Sequence, residues 1–238
     1  MKKFLYVFFL SFPFCLPAFE TVVESDEVHY NGEWITLTGH VAVENTMGRV
    51  TAETATLKKD AQKTTKIDFP WIELKHAVCL TLADGGLLQC DSVFLDYTQM
   101  TSFFYGKPQV TYKGTLGEIY ADRAQVDYQE IEGKLEATKV TLFDNVRLVN
   151  MGSEEKPAFQ YALADEVYYF PQEQVTVLES KQSKVLFYDK LRDMQLSART
   201  VRAHRDPVTH KESVQGVGDV RFVFGPEELE KIKQRFPK

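Results

Sequence analysis

The sequence is poor in the features that mark enzymes, metal proteins and disulfide-rich domains. Only three cysteines occur in 238 residues, and there is no paired-cysteine zinc pattern, G-x-S-x-G, P-loop or H-E-x-x-H motif. The five histidines show no ligand spacing on a helix-forming stretch. We therefore expect no catalytic residues, no metal site and no cofactor, and a protein that is not an enzyme.

The sequence also lacks an excess of positive charge. It has 28 basic and 34 acidic residues, and two of the basic ones are Lys2 and Lys3. These lysines precede an apolar run over residues 4–16 and the small residue Ala18, a pattern typical of a secretory signal. Cleavage after residue 18 would leave 26 basic against 34 acidic residues, a net charge of −8. Such a surface is not attracted to nucleic acid, so we expect no nucleic-acid partner.

No apolar run reaches the roughly 20 residues that a membrane-spanning helix needs. The run at residues 4–16 is shorter and is followed by Pro17, with Pro13 inside it. This favours a cleaved signal and an exported protein. The alternative is an uncleaved N-terminus that anchors the chain in the inner membrane.

What the sequence does contain is a repeated β-hairpin pattern. Residues 110–128 read VTYKGTLGEIYADRAQVDY: apolar residues alternate, a turn spans Gly114 to Gly117, and alternation then resumes. After Asp122 the apolar positions change parity, which predicts a bend or bulge in the strand. At the start of the chain, Asn31-Gly32 between alternating runs predicts a tight opening hairpin.

Both halves of this unit recur along the chain. The half before the turn begins with a valine at Val41, Val78, Val110, Val146, Val185 and Val220, between 32 and 39 residues apart. The half after the turn has a small residue, a polar residue and then Ala or Val three positions on, with the small residue at Ala52, Cys90, Ala121, Ala164 and Ala198. This recurrence is typical of stacked supersecondary units.

A stack of strands that all bend at one position predicts two walls meeting along a crease, with an apolar interior. The side-chain parity assigns candidate groove liners, and the alternative for these residues is an ordinary closed core. They are Val41, Val43, Leu80, Leu88, Val110, Tyr112, Ile119, Val126, Leu142, Val146, Phe187 and Leu196. Glu53, Asp91, Asp122 and Asp165 occupy equivalent places after the small residues, which favours a structural role as acceptors of backbone hydrogen bonds at the bend.

Two cysteines, Cys79 and Cys90, flank a glycine-containing turn. This spacing in an exported protein is compatible with a cross-strand disulfide. Alternation argues against it, because Val78 and Leu80 share a face with Cys90, and Cys79 must then point to the opposite face. Two free thiols are the favoured interpretation.

The C-terminal residues 226–238 are the one stretch with a helical pattern. Pro226 suits the first helical position, and acidic residues come early and basic residues late, as the helix dipole prefers. We expect a short helix that folds back over the apolar last strand near Val220 and shields its edge. The predicted organisation is thus a signal over 1–18, a β-domain over 19–225 and a helical tail over 226–238.

The recurring motifs resemble those of the LptA/OstA family of lipopolysaccharide-transport proteins, over roughly residues 20–224. The matching stretches are Gly39-His40-Val41-Ala42-Val43, Ala52-Glu53-Thr54-Ala55, Ala121-Asp122-Arg123-Ala124, Ala164-Asp165-Glu166-Val167 and Gly218-Asp219-Val220. Two units depart from the pattern, with Cys90 in place of alanine in one and Arg199 in place of the acid in another. The resemblance implies an all-β fold, an open folded β-jellyroll forming a V-shaped trough of antiparallel strands built from tandem hairpin units.

The resemblance also implies a function. Members bind the acyl chains of lipopolysaccharide, in its lipid A part, inside the trough and help to carry it across the periplasm to the outer membrane. The implied partners are lipopolysaccharide, other jellyroll transport proteins at the inner and outer membranes, and further copies of the chain joined head to tail. Two alternatives stay open: a structural adaptor that joins such proteins edge to edge without lipid, and a hydrolase of envelope glycans.

Overall fold

The computed structural model describes residues 22–45, 48–60, 69–82, 85–114, 117–131, 134–150, 160–190, 193–206, 209 and 212–224. Within these residues the protein is all β, and sixteen strands form a single antiparallel sheet. The predicted signal at 1–18 and the predicted helix at 226–238 lie outside the described residues. The described part of the chain contains no helix with the length and hydrophobicity of a membrane span.

The strands follow the predicted hairpin order. They are β1 Val22–Glu24, β2 Glu27–Tyr30, β3 Trp34–Asn45, β4 Gly48–Lys58, β5 Trp71–Leu82, β6 Leu87–Asp96, β7 Thr101–Gly114, β8 Gly117–Ile131, β9 Lys134–Asn150, β10 Gln160–Phe170, β11 Val175–Glu179, β12 Val185–Asp189, β13 Met194–Ala198, β14 Thr200–Arg205, β15 Glu212–Val217 and β16 Arg221–Phe224. The hairpin predicted at Asn31-Gly32 is confirmed, because β2 pairs with β3 around it. The Asn31 side chain accepts the N–H of Trp34 at 2.8 Å across this turn.

The sheet divides lengthwise into two walls that share the long strands β3 to β10. Each long strand contributes one half to each wall, because its pairing register is interrupted near its middle. Wall A is completed by β1 at one end and by β12, β13 and β16 at the other, and wall B by β2 and by β11, β14 and β15. The fold is therefore the predicted open, folded antiparallel sheet.

The line at which the two walls meet is called the crease. At the crease, two residues of one strand lie opposite a single residue of the following strand. In β3, β5 and β9 two consecutive residues with positive φ form a corner: Gly39-His40, His76-Ala77 and Asp144-Asn145. Each corner faces a single residue of the following strand, since Thr38 pairs with Thr54 while Val41 pairs with Ala52. The bend was predicted after Asp122 in β8, and the register does shift there. The additional residues that cause this shift, however, belong to the preceding strand and not to β8.

The inward faces of both walls form one apolar core. Wall A contributes residues such as Leu80 and Val146, and wall B residues such as Leu74 and Phe104, to the same buried cluster. Cys90 lies on this inward face opposite Val78, whereas Cys79 pairs with Gln89 on the other face. Both cysteines are free, which confirms the predicted arrangement.

Candidate functional site

The crease is lined by the small residues that the sequence pattern singled out. Each of them, and the residue three positions later, is buried: Ala52 and Ala55, Cys90 and Val93, Ala121 and Ala124, Ala164 and Val167, Ala198 and Val201. In a regular strand, residues on the same face are two positions apart. Two inward residues that are three positions apart therefore require a change of face between them. Small side chains are suited to this position, because the two walls converge at the crease.

Two of the predicted acidic residues of the crease, Asp122 and Asp165, bind a neighbouring corner and loop. The Asp165 carboxylate accepts the backbone N–H of Lys181 at 2.7 Å, as predicted. The Asp122 carboxylate instead accepts the side-chain amide of Asn145 at 2.7 Å, and Arg123 beside it pairs with Asp144 at 2.8 Å. These contacts fasten the bend of β8 to the corner of β9 and the bend of β10 to the loop after β11, which is a structural role.

A second ion network lies on the outer side of wall B. Glu166 accepts hydrogen bonds from the Lys181 ammonium and from the Tyr168 hydroxyl, both at 2.5 Å. These donors lower the pKa of the Glu166 carboxyl, with Lys181 the larger cause. The bond to Glu166 raises the pKa of Tyr168 to about 12. The network fixes the loop after β11 to β10.

All twelve predicted groove liners lie together between the walls. Ten are buried, and Val43 and Tyr112 are partly buried against the same cluster. The structure thus brings the predicted residues into one interior, in which the side chains of the two walls pack on each other. Their assignment as lipid-binding residues remains a prediction.

The apolar interior opens at both ends of the sheet. At the β1 and β2 end, Val23, Val28 and Tyr30 pair with Val43, Leu37 and Ile35, so they continue the inward face. They are nevertheless exposed, Val28 to 66%. We call this surface the N-terminal mouth.

The opposite end has a matching surface, the C-terminal mouth. Phe222 of β16 pairs with the buried Leu196 and is 40% exposed. Val220 is exposed as well, and a Cβ added at Gly216 would lie 3.1 Å from its side chain and 3.0 Å from Leu196. Sequence reasoning did not include these mouth residues among the liners, because alternation reveals the face of a residue but not whether a further strand covers it.

Polar groups on the inward face are paired or lie far from the crease. Ser102 and Tyr128 share a hydrogen bond of 2.9 Å, and burial raises the pKa of the Tyr128 hydroxyl, which keeps it neutral. The fully buried Asp189 accepts a hydrogen bond of 3.0 Å from Gln160. Asp189 ends β12 and Arg205 ends β14, each at the rim of its wall opposite the crease. Along the crease itself the lining is apolar except for the buried Ser180, whose hydroxyl oxygen accepts the Asp165 N–H at 3.2 Å.

These features define a β-sheet trough with an apolar interior, two apolar mouths and a crease held by polar contacts. No protein-family model matches the chain, and no curated protein matches it. Among solved structures, the chain is similar to LptH, the LptA homologous periplasmic component of the conserved lipopolysaccharide transport device from Pseudomonas aeruginosa. The sequence identity is 13% and the TM-score 0.47, over 59% of this chain and 95% of that chain.

Proposed function

We propose that this protein binds the acyl chains of lipopolysaccharide, in its lipid A part, within the trough and carries the lipid across the periplasm towards the outer membrane. The proposed binding residues are the twelve groove liners together with the residues of the two mouths. The proposal includes export by the predicted signal and no chemical conversion of the lipid.

The observation that carries this proposal is the continuity of the apolar face from the buried interior to both mouths. An extended acyl chain that enters at Val28 or Phe222 meets apolar side chains along the crease. Each methylene removed from water contributes about 0.8 kcal/mol, so several methylenes suffice for binding. The interior must open to admit the chain, since its central liners pack on each other.

The sheet edges support a second role, the joining of several jellyroll domains. Within the described residues, β1 and β2 pair only with β3, β15 only with β14 and β16 only with β13. Unpaired strand edges bind further strands through backbone hydrogen bonds. Head-to-tail contacts with another copy, or with other jellyroll transport proteins at either membrane, would continue both walls and connect the apolar interiors. If no lipid occupies the trough, the protein would be an adaptor.

Photo-crosslinking in living cells distinguishes these functions. A photoreactive amino acid is placed at Tyr30, Tyr112 or Phe222, all on the inward face. The matched controls are the preceding residues His29, Thr111 and Arg221, which point to the other face of the same strands. We expect labelled lipopolysaccharide to be captured at the inward positions and not at the controls.

Two outcomes of the photo-crosslinking experiment would contradict lipid transport. Capture of protein but no lipid at Tyr30 and Phe222, with none at Tyr112, would overturn lipid transport and favour the adaptor. Equal lipid capture at inward and control positions would show nonspecific contact with membrane lipid and would also contradict the proposal.

A further inference from the structure

A second apolar surface lies on the outside of wall A, facing away from the trough. It is formed by outward residues of β9, β10, β12 and β16, in two adjacent rows across the strands, and β13, between β12 and β16, contributes the polar Gln195 and Ser197 to these rows. We call it the outer patch; it consists of Val149, Tyr161, Leu163, Leu186, Tyr188 and Val223. Tyr161, Leu163, Leu186 and Val223 are each more than 40% exposed.

The outer patch is confined to the C-terminal third of wall A. Further along the same face, towards the N-terminus, the outward residues are mostly polar, as Arg49, Thr81, Gln89 and Lys113 show. In an antiparallel sheet with one apolar inward face, the outward residues are normally polar. A local change to leucine, tyrosine and valine therefore indicates that something covers this part of the wall.

The chain itself supplies an occupant of suitable composition. Residues 225–238 read GPEELEKIKQRFPK, and Leu229, Ile232 and Phe236 are spaced three and four residues apart. This spacing places the three side chains on one face of a helix. Gly225 permits a sharp change of direction, and Pro226 is suited to begin the helix.

The position and length of this segment fit the outer patch. The described chain ends at Phe224, which pairs with Met194 in wall A, so the segment starts at the border of the patch. From β16 across β13, β12 and β10 to β9 there are four strand spacings, roughly 19 Å in all. A helix over residues 226–237 would be roughly 18 Å long. A helix lying across the strands therefore covers the patch from end to end.

The charges of the segment agree with this direction. Its early acidic residues, Glu227, Glu228 and Glu230, would lie beside β16, where Arg221 is exposed on the outer face. Its later basic residues would point towards β8, where Glu118 lies on the same face, 3.7 Å from the Lys113 ammonium and bound by the Tyr120 hydroxyl. Arg147 at the border of the patch is already bound, with its guanidinium over the Tyr120 ring and a hydrogen bond of 3.1 Å to Gln109.

We infer that residues 226–238 form an amphipathic helix that docks on the outer patch of the same chain, with Leu229 nearest to Val223, Ile232 against Leu186 and Phe236 against Leu163. This arrangement differs from a helix laid along the free edge of β16. It covers the apolar outer face and does not lie along the edges of β15 and β16. The inference goes beyond lipid binding and does not depend on it.

Disulfide trapping tests the docked arrangement in the full chain, with its three native cysteines replaced by serine or alanine. The pair Leu186→Cys with Ile232→Cys is expected to form an intramolecular disulfide rapidly under mild oxidation. Three control pairs keep one partner and move the other: Leu186→Cys with Gln234→Cys on the opposite helix face, Thr81→Cys with Ile232→Cys on the polar part of wall A, and Phe222→Cys with Ile232→Cys in the C-terminal mouth. Because a docked pair has an effective concentration far above that of a freely moving tail, we expect its yield to exceed each control by about tenfold.

Several outcomes would overturn the inference. A higher yield for the Phe222 pair would place the tail over the mouth and edge. Equal yields for all pairs would show an undocked tail. Disulfides that form only between chains, detected by mixing Leu186→Cys protein with Ile232→Cys protein, would assign the patch to a second copy.

A second measurement covers the case in which cysteine substitution disturbs docking. In the otherwise native chain, amide hydrogen exchange of residues 227–236 is expected to be slowed, and Leu163→Asp with Leu186→Asp is expected to remove this protection. Both substitutions are at exposed positions, so the sheet retains its own protection. Unprotected tail amides in the native chain would contradict the inference.

Discussion

His40 is one of the residues with positive φ at the crease, and its imidazole is bound to the chain near the N-terminal edge. Its Nδ1 lies 2.8 Å from an Asp26 carboxylate oxygen, and the Asp26 N–H donates to the Gly39 carbonyl at 2.9 Å. The hydrogen bond and charge of Asp26 raise the pKa of His40. Gly39, with φ of 74°, is required here because a Cβ would lie 2.2 Å from the Asp26 carboxylate.

This pair gives a pH-dependent contribution to stability whose sign is fixed by the raised pKa. The contribution is complete below the ordinary histidine pKa of 6.5 and is lost as pH rises through the higher pKa of the folded protein. We expect wild type to exceed His40→Asn in thermal stability at low pH, by a small margin because the pair is exposed, and the difference to disappear at alkaline pH. Asparagine is chosen because it tolerates positive φ.

An NMR titration of the His40 ring supplies the direct measurement. In Asp26→Asn the midpoint is expected to fall towards 6.5, because the carboxylate that holds the proton is absent. Identical midpoints in wild type and Asp26→Asn would show that the ion pair does not form in solution.

At the scale of the strand, the crease depends on small buried side chains opposite the corners. Ala121 in β8 is 1% exposed and pairs with Val110, which directly follows residues 106–109 at the crease of β7. A larger side chain at this position must displace the opposite wall or move the corner. The alanine is therefore needed for packing.

We expect Ala121→Leu to reduce the free energy of unfolding by about 1 to 3 kcal/mol, the usual effect of overfilling a packed core. The matched control is Gln89→Leu, which adds a leucine at an exposed outward position of β6 and should change the free energy by less than about 0.5 kcal/mol. Urea unfolding of the two variants measures the difference. Equal midpoints would mean that the crease has free space beside Ala121.

The bends of β4, β6, β8 and β10 were predictable from the sequence, whereas the corners in the strands that precede them were not. The difference has a physical reason. In β4, β6, β8 and β10 the inward positions change parity, and this change is visible as apolar residues three apart. In β5, inward Leu74 and Val78 keep the same parity, because the corner His76-Ala77 adds two residues. An even addition leaves no signal in the alternation. Neither His76 nor Ala77 is a glycine, so composition gave no signal of positive φ either.

At the scale of the whole molecule, the protein is a linear stack in which each strand pairs with its neighbours in the walls. The strands β6 to β9 have pairing partners on both sides in both walls, whereas β1, β2, β15 and β16 have a partner on one side only within the described residues. Stability in such a stack is a sum of local strand and interface contributions. The ends should therefore open more readily than the centre.

We expect native-state hydrogen exchange to be slowest in β6 to β9 and to become faster in steps towards both ends of the sheet. Addition of a partner that pairs with a terminal edge should slow exchange at that end first. A single exchange rate shared by β1, β8 and β16 would contradict the local description and indicate one fully cooperative unit.

The ends of the stack also limit what the sequence could predict. The apolar faces of Val28 and Phe222 were recognisable as parts of strands, but a strand at the end of a sheet has the same alternation as one in its centre. Exposure of the inward face depends on which strands pair last, and pairing between β10 and both β11 and β12 is a long-range property. The trough was predictable from local pattern, and its mouths were not.

The corner of β7 shows how this architecture can tolerate changes in chain length. Where β3, β5 and β9 have two residues at the crease, β7 has four, residues 106–109, between Tyr105 and Val110, and both walls continue in register on either side. Additions of an even number of residues at a corner preserve which side chains face inward, whereas an odd addition would turn one half of the strand inside out. Residues can therefore be added in pairs at a corner of this chain without changing which side chains either wall directs inward.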